Sequence, residues 1–117
     1  MKLSKNNAGL EAEKIAATFL LDRGLKLVTQ NYHCKFGEID LIMKEAKILV
    51  FIEVRLRSNN QFGNAAASIT PQKQQKLILT AQYYLQQHGD YQCRFDAILM
   101  DKADVRHIEW VRNAFDA

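Results

Sequence analysis

Hydrophobic residues recur along this chain with two different periods. Over residues 8–23 they fall at helical spacing, with Ala8, Ala12, Ile15, Ala16, Phe19 and Leu20 on one stripe and Gly24 placed to stop the helix. Glu13 sits at the edge of that stripe, since Ala16, Ala17 and Leu20 lie three, four and seven residues on. A carboxylate there needs a partner or a path to water. From residue 25 the period shortens to two, and 25–32, 36–44 and 47–57 read as strands in which Ile, Leu, Val and Phe alternate with polar residues. The short Glu45-Ala46 connection makes the last two a hairpin, in which paired residue numbers sum to about 93 and Asp40 stands opposite Glu53. Alternation then puts Glu38, Asp40, Glu53, Arg55 and Arg57 on one face of the sheet. Ile39, Leu41, Ile52, Val54 and Leu56 fall on the other, which is the expected core side.

After a Gly-, Asn- and Ala-rich connection over 58–69, Thr70 and Pro71 supply a hydroxyl N-cap and a first-turn proline. The helix they begin runs to about His88 and stops at Gly89, with Leu77, Ile78, Ala81, Tyr84 and Leu85 as its core stripe. Lys73 lies one turn upstream of Leu77 on that stripe and so points back toward the sheet. Residues 94–100 form a fourth strand, joined to the third by a parallel crossover, and 105–111 a short last one. The expected fold is α/β, a mixed central sheet flanked by helices in the order α-β-β-β-α-β-β.

A length of 117 residues suits a single domain over 1–117. No apolar run reaches the roughly 18 residues that cross a bilayer, and the basic N-terminus leads into an amphipathic segment rather than an export signal. Cys34 and Cys93 stand far apart with no partner motif, which reads as free thiols in a reducing compartment and predicts a cytoplasmic protein without membrane attachment. The net charge of +3 is uninformative until it is mapped. From Val54 to Gly89 there is no acid, whereas Arg55, Arg57, Lys73 and Lys76 all fall there, so a polyanion would be drawn to this segment.

That segment directly follows the two facing carboxylates. Asp40 and Glu53 would repel each other unless a cation lay between them. A hard divalent ion, Mg²⁺ or Mn²⁺, fits a shell made by both carboxylates, the backbone carbonyl of Val54, water and a substrate phosphate. Such an ion supplies the chemistry of phosphodiester hydrolysis. The alternative is a surface on which Asp40 and Glu53 simply pair with Arg55 and Arg57.

Taken together, Gly9-x-x-x-Glu13, Asn31, Gly37-Glu38-Ile39-Asp40, Phe51-Ile52-Glu53-Val54-Arg55-Leu56-Arg57, Phe62-Gly63, Lys73, Arg94-Phe95-Asp96 and Asn113-Ala114-Phe115 resemble the YraN family of bacterial proteins over nearly the whole chain. That family is similar to archaeal Holliday-junction resolvases and other PD-(D/E)XK nucleases. The resemblance implies a restriction-endonuclease-like core and a metal-dependent endonuclease acting on branched or structured DNA. Asp40 and Glu53 would be the metal-binding acids, with Glu13 a helix carboxylate supporting the metal or its water. Arg55 stands where many members of the wider fold have lysine. A guanidinium stays protonated, so it stabilises charge but does not act as a base, and Lys73 is a candidate replacement. Arg55, Arg57, Lys73 and Lys76 would bind phosphate. By analogy with resolvases the protein would be a homodimer. The rival reading is a nucleic-acid-binding module that keeps this fold without catalysis. Asp96 is expected to hold a structural hydrogen bond.

Overall fold

The computed structural model describes residues 7–57, 69–101 and 105–117. Among them the chain forms α1 (Asn7–Asp22), β1 (Lys26–Cys34), β2 (Gly37–Glu45), β3 (Ile48–Arg57), α2 (Pro71–His88), β4 (Cys93–Asp101), a 3-10 turn (Val105–His107) and β5 (Ile108–Phe115). The five strands make one sheet in the order β1-β2-β3-β4-β5. Pairing is antiparallel except between β3 and β4, which run parallel across the α2 crossover, so the sheet is mixed as expected. The connection after β3 lies outside the described residues.

Local chemistry explains the helix ends. The α1 chain stops at Gly24, whose φ of 94° is open to glycine, while the Leu25 and Gly24 amides donate to the carbonyls of Leu20 and Leu21. At the start of α2 the Thr70 hydroxyl accepts from the Lys73 amide at 3.2 Å, and Pro71 occupies the first turn without losing a hydrogen bond. Among the described residues no helix is long and apolar enough to cross a membrane.

The sheet is buried on both sides, which corrects the expectation of one polar face. Ala12, Ala16 and Leu20 of α1 pack on Leu41, Met43, Val50 and Ile52, whereas Leu77, Ala81 and Tyr84 of α2 pack on Ile42, Leu49, Phe51 and Phe95. Residues 50 and 52 of β3 thus face α1, and 49 and 51 face α2. Glu53 follows the second set. That stripe of β3 is therefore apolar at Leu49 and Phe51 and turns charged from Glu53 onward.

Alternation also fails at one point in β2. Ile39 packs with the α2-side cluster and Leu41 with the α1-side cluster, although a regular strand would give them one face. The irregularity coincides with Asn31, whose φ of 52° interrupts β1 between the pairs Gln30–Leu41 and Tyr32–Ile39. The last strand is also shifted from its expected position. Residues 105–107 form the 3-10 turn and pairing extends to Phe115, because the sequence 112–114 bulges against Asp96 alone.

Asp96 holds that bulge. Its carboxylate is 1% exposed and accepts from Arg94 Nε at 2.9 Å, Trp110 Nε1 at 2.9 Å and the amide of Asn113 at 2.8 Å. Asn113 has a φ of 52°, so the side chain satisfies an amide that the strained bulge takes out of the ladder. Arg94 reaches onward to Glu45 at 2.8 Å, and Arg112 meets the same carboxylate at 3.0 Å, tying β4 and β5 to the β2–β3 turn. Both arginines and the resulting hydrogen bonds pull the Glu45 carboxyl below its ordinary range. Removing the Asp96 carboxylate leaves the half-buried Arg94 guanidinium with Glu45 alone and takes the acceptor from an indole N–H and the Asn113 amide, so Asp96→Ala is expected to cost about 2–4 kcal/mol in urea unfolding. A loss below 1 kcal/mol would remove Asp96 from its structural role.

Candidate functional site

The β2–β3 ladder has its pairs from Glu45–Ile48 to Leu41–Ile52, each summing to the register expected from the short turn. Asp40 and Glu53 are the next residue on each strand beyond the open end of that ladder. There the Asp40 carboxylate takes over from the backbone: its Oδ2 accepts from the Val54 amide at 2.8 Å. This bond fixes Asp40 across the fork between the strands. The sequence pointed to the carbonyl of Val54 but gave no sign of this amide contact, which depends on where the ladder stops.

Both carboxylates are deeply placed, each residue only 5% exposed. They share a polar cavity of about 230 Å³ with Glu38, Val54, Arg55, Leu56 and Lys73. Lys73 comes from the first turn of α2, and its Nζ lies 3.3 Å from Glu53 Oε2; Arg55 Nη1 lies 3.6 Å from the same oxygen. The ammonium of the helix thus approaches Glu53 more closely than the guanidinium of the strand. Both cations are about 40% exposed on their side chains while Glu53 is nearly covered, so solvent screens their charges more than it reaches the carboxylate.

Burial and the neighbouring Asp40 charge together push the Glu53 carboxyl up to about 7, despite the opposing pull of Lys73 and Arg55. Desolvation is the larger cause. A carboxyl raised this far titrates near neutrality, and carboxyls of that kind concentrate at functional sites.

The remaining candidates are distributed differently. Glu13 is buried on α1 and lines a separate cavity with Lys14, Gln30 and Asn31. The cavity holding Asp40 and Glu53 does not include it. Lys76 is exposed one turn beyond Lys73 on α2 and outside the cavity. Arg57 ends β3, and its side chain lies outside the described residues, as does the Phe62-Gly63 segment. Glu38 enters the cavity wall although the sequence offered only its place in the alternation. Among the described residues there is no cluster of three or more His, Cys, Asp or Glu side chains able to hold a metal. Any cation in this cavity would therefore rest on two carboxylates with oxygen donors from elsewhere, which is within the habit of Mg²⁺.

The described residues thus form an α/β protein with a five-stranded mixed sheet, two α-helices and a buried acidic pair set against lysine and arginine at the sheet's fork. It belongs to the uncharacterised protein family UPF0102, whose family model matches residues 12–100. This agrees with the resemblance to the YraN family. A UPF0102 protein of Methylobacillus flagellatus is 54% identical over 93% of this chain and 96% of its own length. One from Nitrosomonas europaea is 55% identical over 97% of each chain, and one from Legionella pneumophila 49% identical over 93% of this chain and 94% of its own.

The raised carboxyl carries a pH signature in metal-free protein. Its folded value of about 7 exceeds the ordinary 4.5, so the stability it contributes is full below about pH 4.5 and is lost as pH rises through 7. The change amounts to about 3 kcal/mol. Urea unfolding in chelator should therefore show wild type losing stability between pH 5 and pH 8 relative to Glu53→Gln. Parallel pH profiles for the two proteins would show that Glu53 titrates normally.

Proposed function

We propose that this protein is a Mg²⁺- or Mn²⁺-dependent DNA endonuclease with a PD-(D/E)XK core. The observation that carries this reading is the buried pair Asp40 and Glu53, where burial first and the Asp40 charge second push Glu53 up to about 7 in a cavity open to solvent and lined also by Lys73 and Arg55. Two desolvated carboxylates at one fork are costly to keep charged, and a divalent cation relieves that cost. The order α-β-β-β-α-β, the parallel β3–β4 pair and the acids at the open end of the β2–β3 hairpin support the nuclease-like core.

Asp40 and Glu53 would hold the cation. Val54 completes the protein's share, because the carbonyl of a strand residue points the same way as its amide, and that amide already faces Asp40. A cation held there would supply Lewis-acid polarisation of the scissile phosphate and a more acidic water as nucleophile, the chemistry of phosphodiester hydrolysis. Lys73 and Arg55 stand where negative charge builds on the phosphoryl oxygens, and they differ in what they can do. Arg55 remains a cation and clamps phosphate, while the Lys73 ammonium can also yield a proton to the departing oxygen. The closer approach of Lys73 to Glu53 favours it for the role that lysine on the strand has in many members of the wider fold. Glu13, which lines a separate cavity, would support the cation or its water, and Arg57 and Lys76 would extend the phosphate-binding edge.

Cleavage of labelled linear, flapped and four-way-junction DNA in Mg²⁺, Mn²⁺ or chelator tests the proposal. Wild type is expected to give products only with metal. Asp40→Asn and Glu53→Gln should reduce cleavage to the chelator background while binding DNA as well or more tightly, because each removes a negative charge facing the phosphates. Salt-sensitive binding without products would establish the non-catalytic module instead. Loss of binding in the two variants would contradict both.

A further inference from the structure

A second feature adjoins the acidic cavity along α2. Lys73, Lys76, Thr80 and Tyr83 recur at intervals of three and four and so share one face of the helix. The start of β2 is laid tightly on that face. A Cβ at Gly37, whose φ is 152°, would come within 3.1 Å of Thr80 Oγ1 and 3.7 Å of Lys76 Cβ. This close approach holds the preceding Lys35-Phe36 turn beside the helix, where the Phe36 ring meets Tyr83 at 5.9 Å and 64°. Lys35 Nζ stands 5.3 Å from the Phe36 ring. Phe36 is 37% exposed, and the hollow of about 290 Å³ at this point is lined by Lys35, Phe36, Leu79, Gln82, Tyr83 and Gln86, with no carboxylate among them.

An aromatic pair, a lysine beside it and glutamines around it offer stacking faces, a phosphate contact and hydrogen bonds. These are the elements by which single-stranded nucleic acid is held without regard to sequence. The charge pattern extends the match, since no acid occurs from Val54 to Gly89 and Lys76 stands between the hollow and Lys73. Along the helix, Lys73 and Tyr83 are ten residues apart, or about 15 Å. An unpaired strand is more extended than one strand of B-form DNA, so that span covers at most about four nucleotides. A paired base is stacked inside its duplex and cannot lie on Phe36, whereas an unpaired base can.

We propose that this face of α2 is a track for an unpaired DNA strand, with Phe36 and Tyr83 as the base platform and Lys35 and Lys76 as phosphate contacts, leading into the Asp40–Glu53 cavity. The proposal rests on the nuclease reading and deepens it by naming the feature of the substrate that is recognised: a single-stranded segment within about four nucleotides of the scissile phosphate.

The test is fluorescence anisotropy in chelator, comparing a short oligothymidine with a blunt duplex of equal length, alongside the cleavage assay of wild type. Phe36→Ala is expected to weaken oligothymidine binding at least about fivefold, the equivalent of one lost stacking contact, while leaving duplex binding unaltered. Tyr83→Ala is expected to weaken oligothymidine binding in the same way, and Leu21→Ala, which removes an exposed leucine on α1, should have no effect. Matching thermal melts guard against misfolding, and Phe36→Tyr should restore affinity. Unchanged oligothymidine affinity in Phe36→Ala, with metal-dependent cleavage by wild type intact, would overturn the track and leave the nuclease. Equal loss on duplex and single strand would also overturn it. Selective loss without cleavage by wild type would uphold the track in a non-catalytic protein, and failure of wild type to bind any DNA would overturn both proposals.

Discussion

Placing Glu53 beside Asp40 under cover of the sheet sets the terms for the rest of this site. Two like charges at the end of a hairpin, each almost excluded from water, are tolerated only because the surrounding structure holds them rigidly and supplies opposing charge. The register of the β2–β3 hairpin brings the two residues to the same level, and the Val54 amide pins one of them. Burial of Leu49 and Phe51 under α2 drives β3 into the core on the same face that carries Glu53, and the helix that covers those residues delivers Lys73. Hydrophobic packing, worth roughly 1.5–3 kcal/mol for each large side chain fully buried, thus maintains an electrostatic arrangement that would not persist alone.

Asp96 shows what a carboxylate buried for structure looks like in the same protein. It receives an arginine, an indole N–H and a backbone amide at 2.8–2.9 Å and closes a bulge at the end of the sheet. Its acceptors are fully engaged by strong donors. Glu53 has its cations at 3.3 and 3.6 Å, on flexible and partly exposed side chains, and its nearest acidic neighbour works against it. The difference lies in whether the charge is matched within the protein. At Asp96 it is. At the fork the balance is incomplete, which is the condition under which a carboxylate pair gains from a cation and a phosphate brought from outside.

Much of this arrangement was legible in the sequence because short-range geometry determines it. A two-residue connection fixed the hairpin register, proline after threonine fixed the start of α2, and helical spacing from Leu77 fixed the direction of Lys73. The readings that fell short depended on what lies across the sheet. Alternation in β2 and β3 suggested one apolar face, but a crossover helix covers the second face, so Phe51 and Glu53 share a side. The switch at Asn31, where Ile39 and Leu41 part company, needs a positive φ that no periodicity encodes. Glu13 was placed at the edge of the apolar stripe, but neither its full burial nor its cavity with Asn31 could be read from spacing. The last strand was cut short because a bulge held by Asp96, seventeen residues before Asn113, interrupts its alternation.

The account turns on whether Asp40 and Glu53 jointly bind a divalent cation. Crystals grown with Mn²⁺ and measured for its anomalous scattering test this most directly. The account predicts a peak in the fork between β2 and β3, within coordination distance of both carboxylates and the Val54 carbonyl, and its disappearance in Glu53→Gln. A fork with Glu53 still paired to Lys73 and no peak, or a peak bound by other residues, would contradict it.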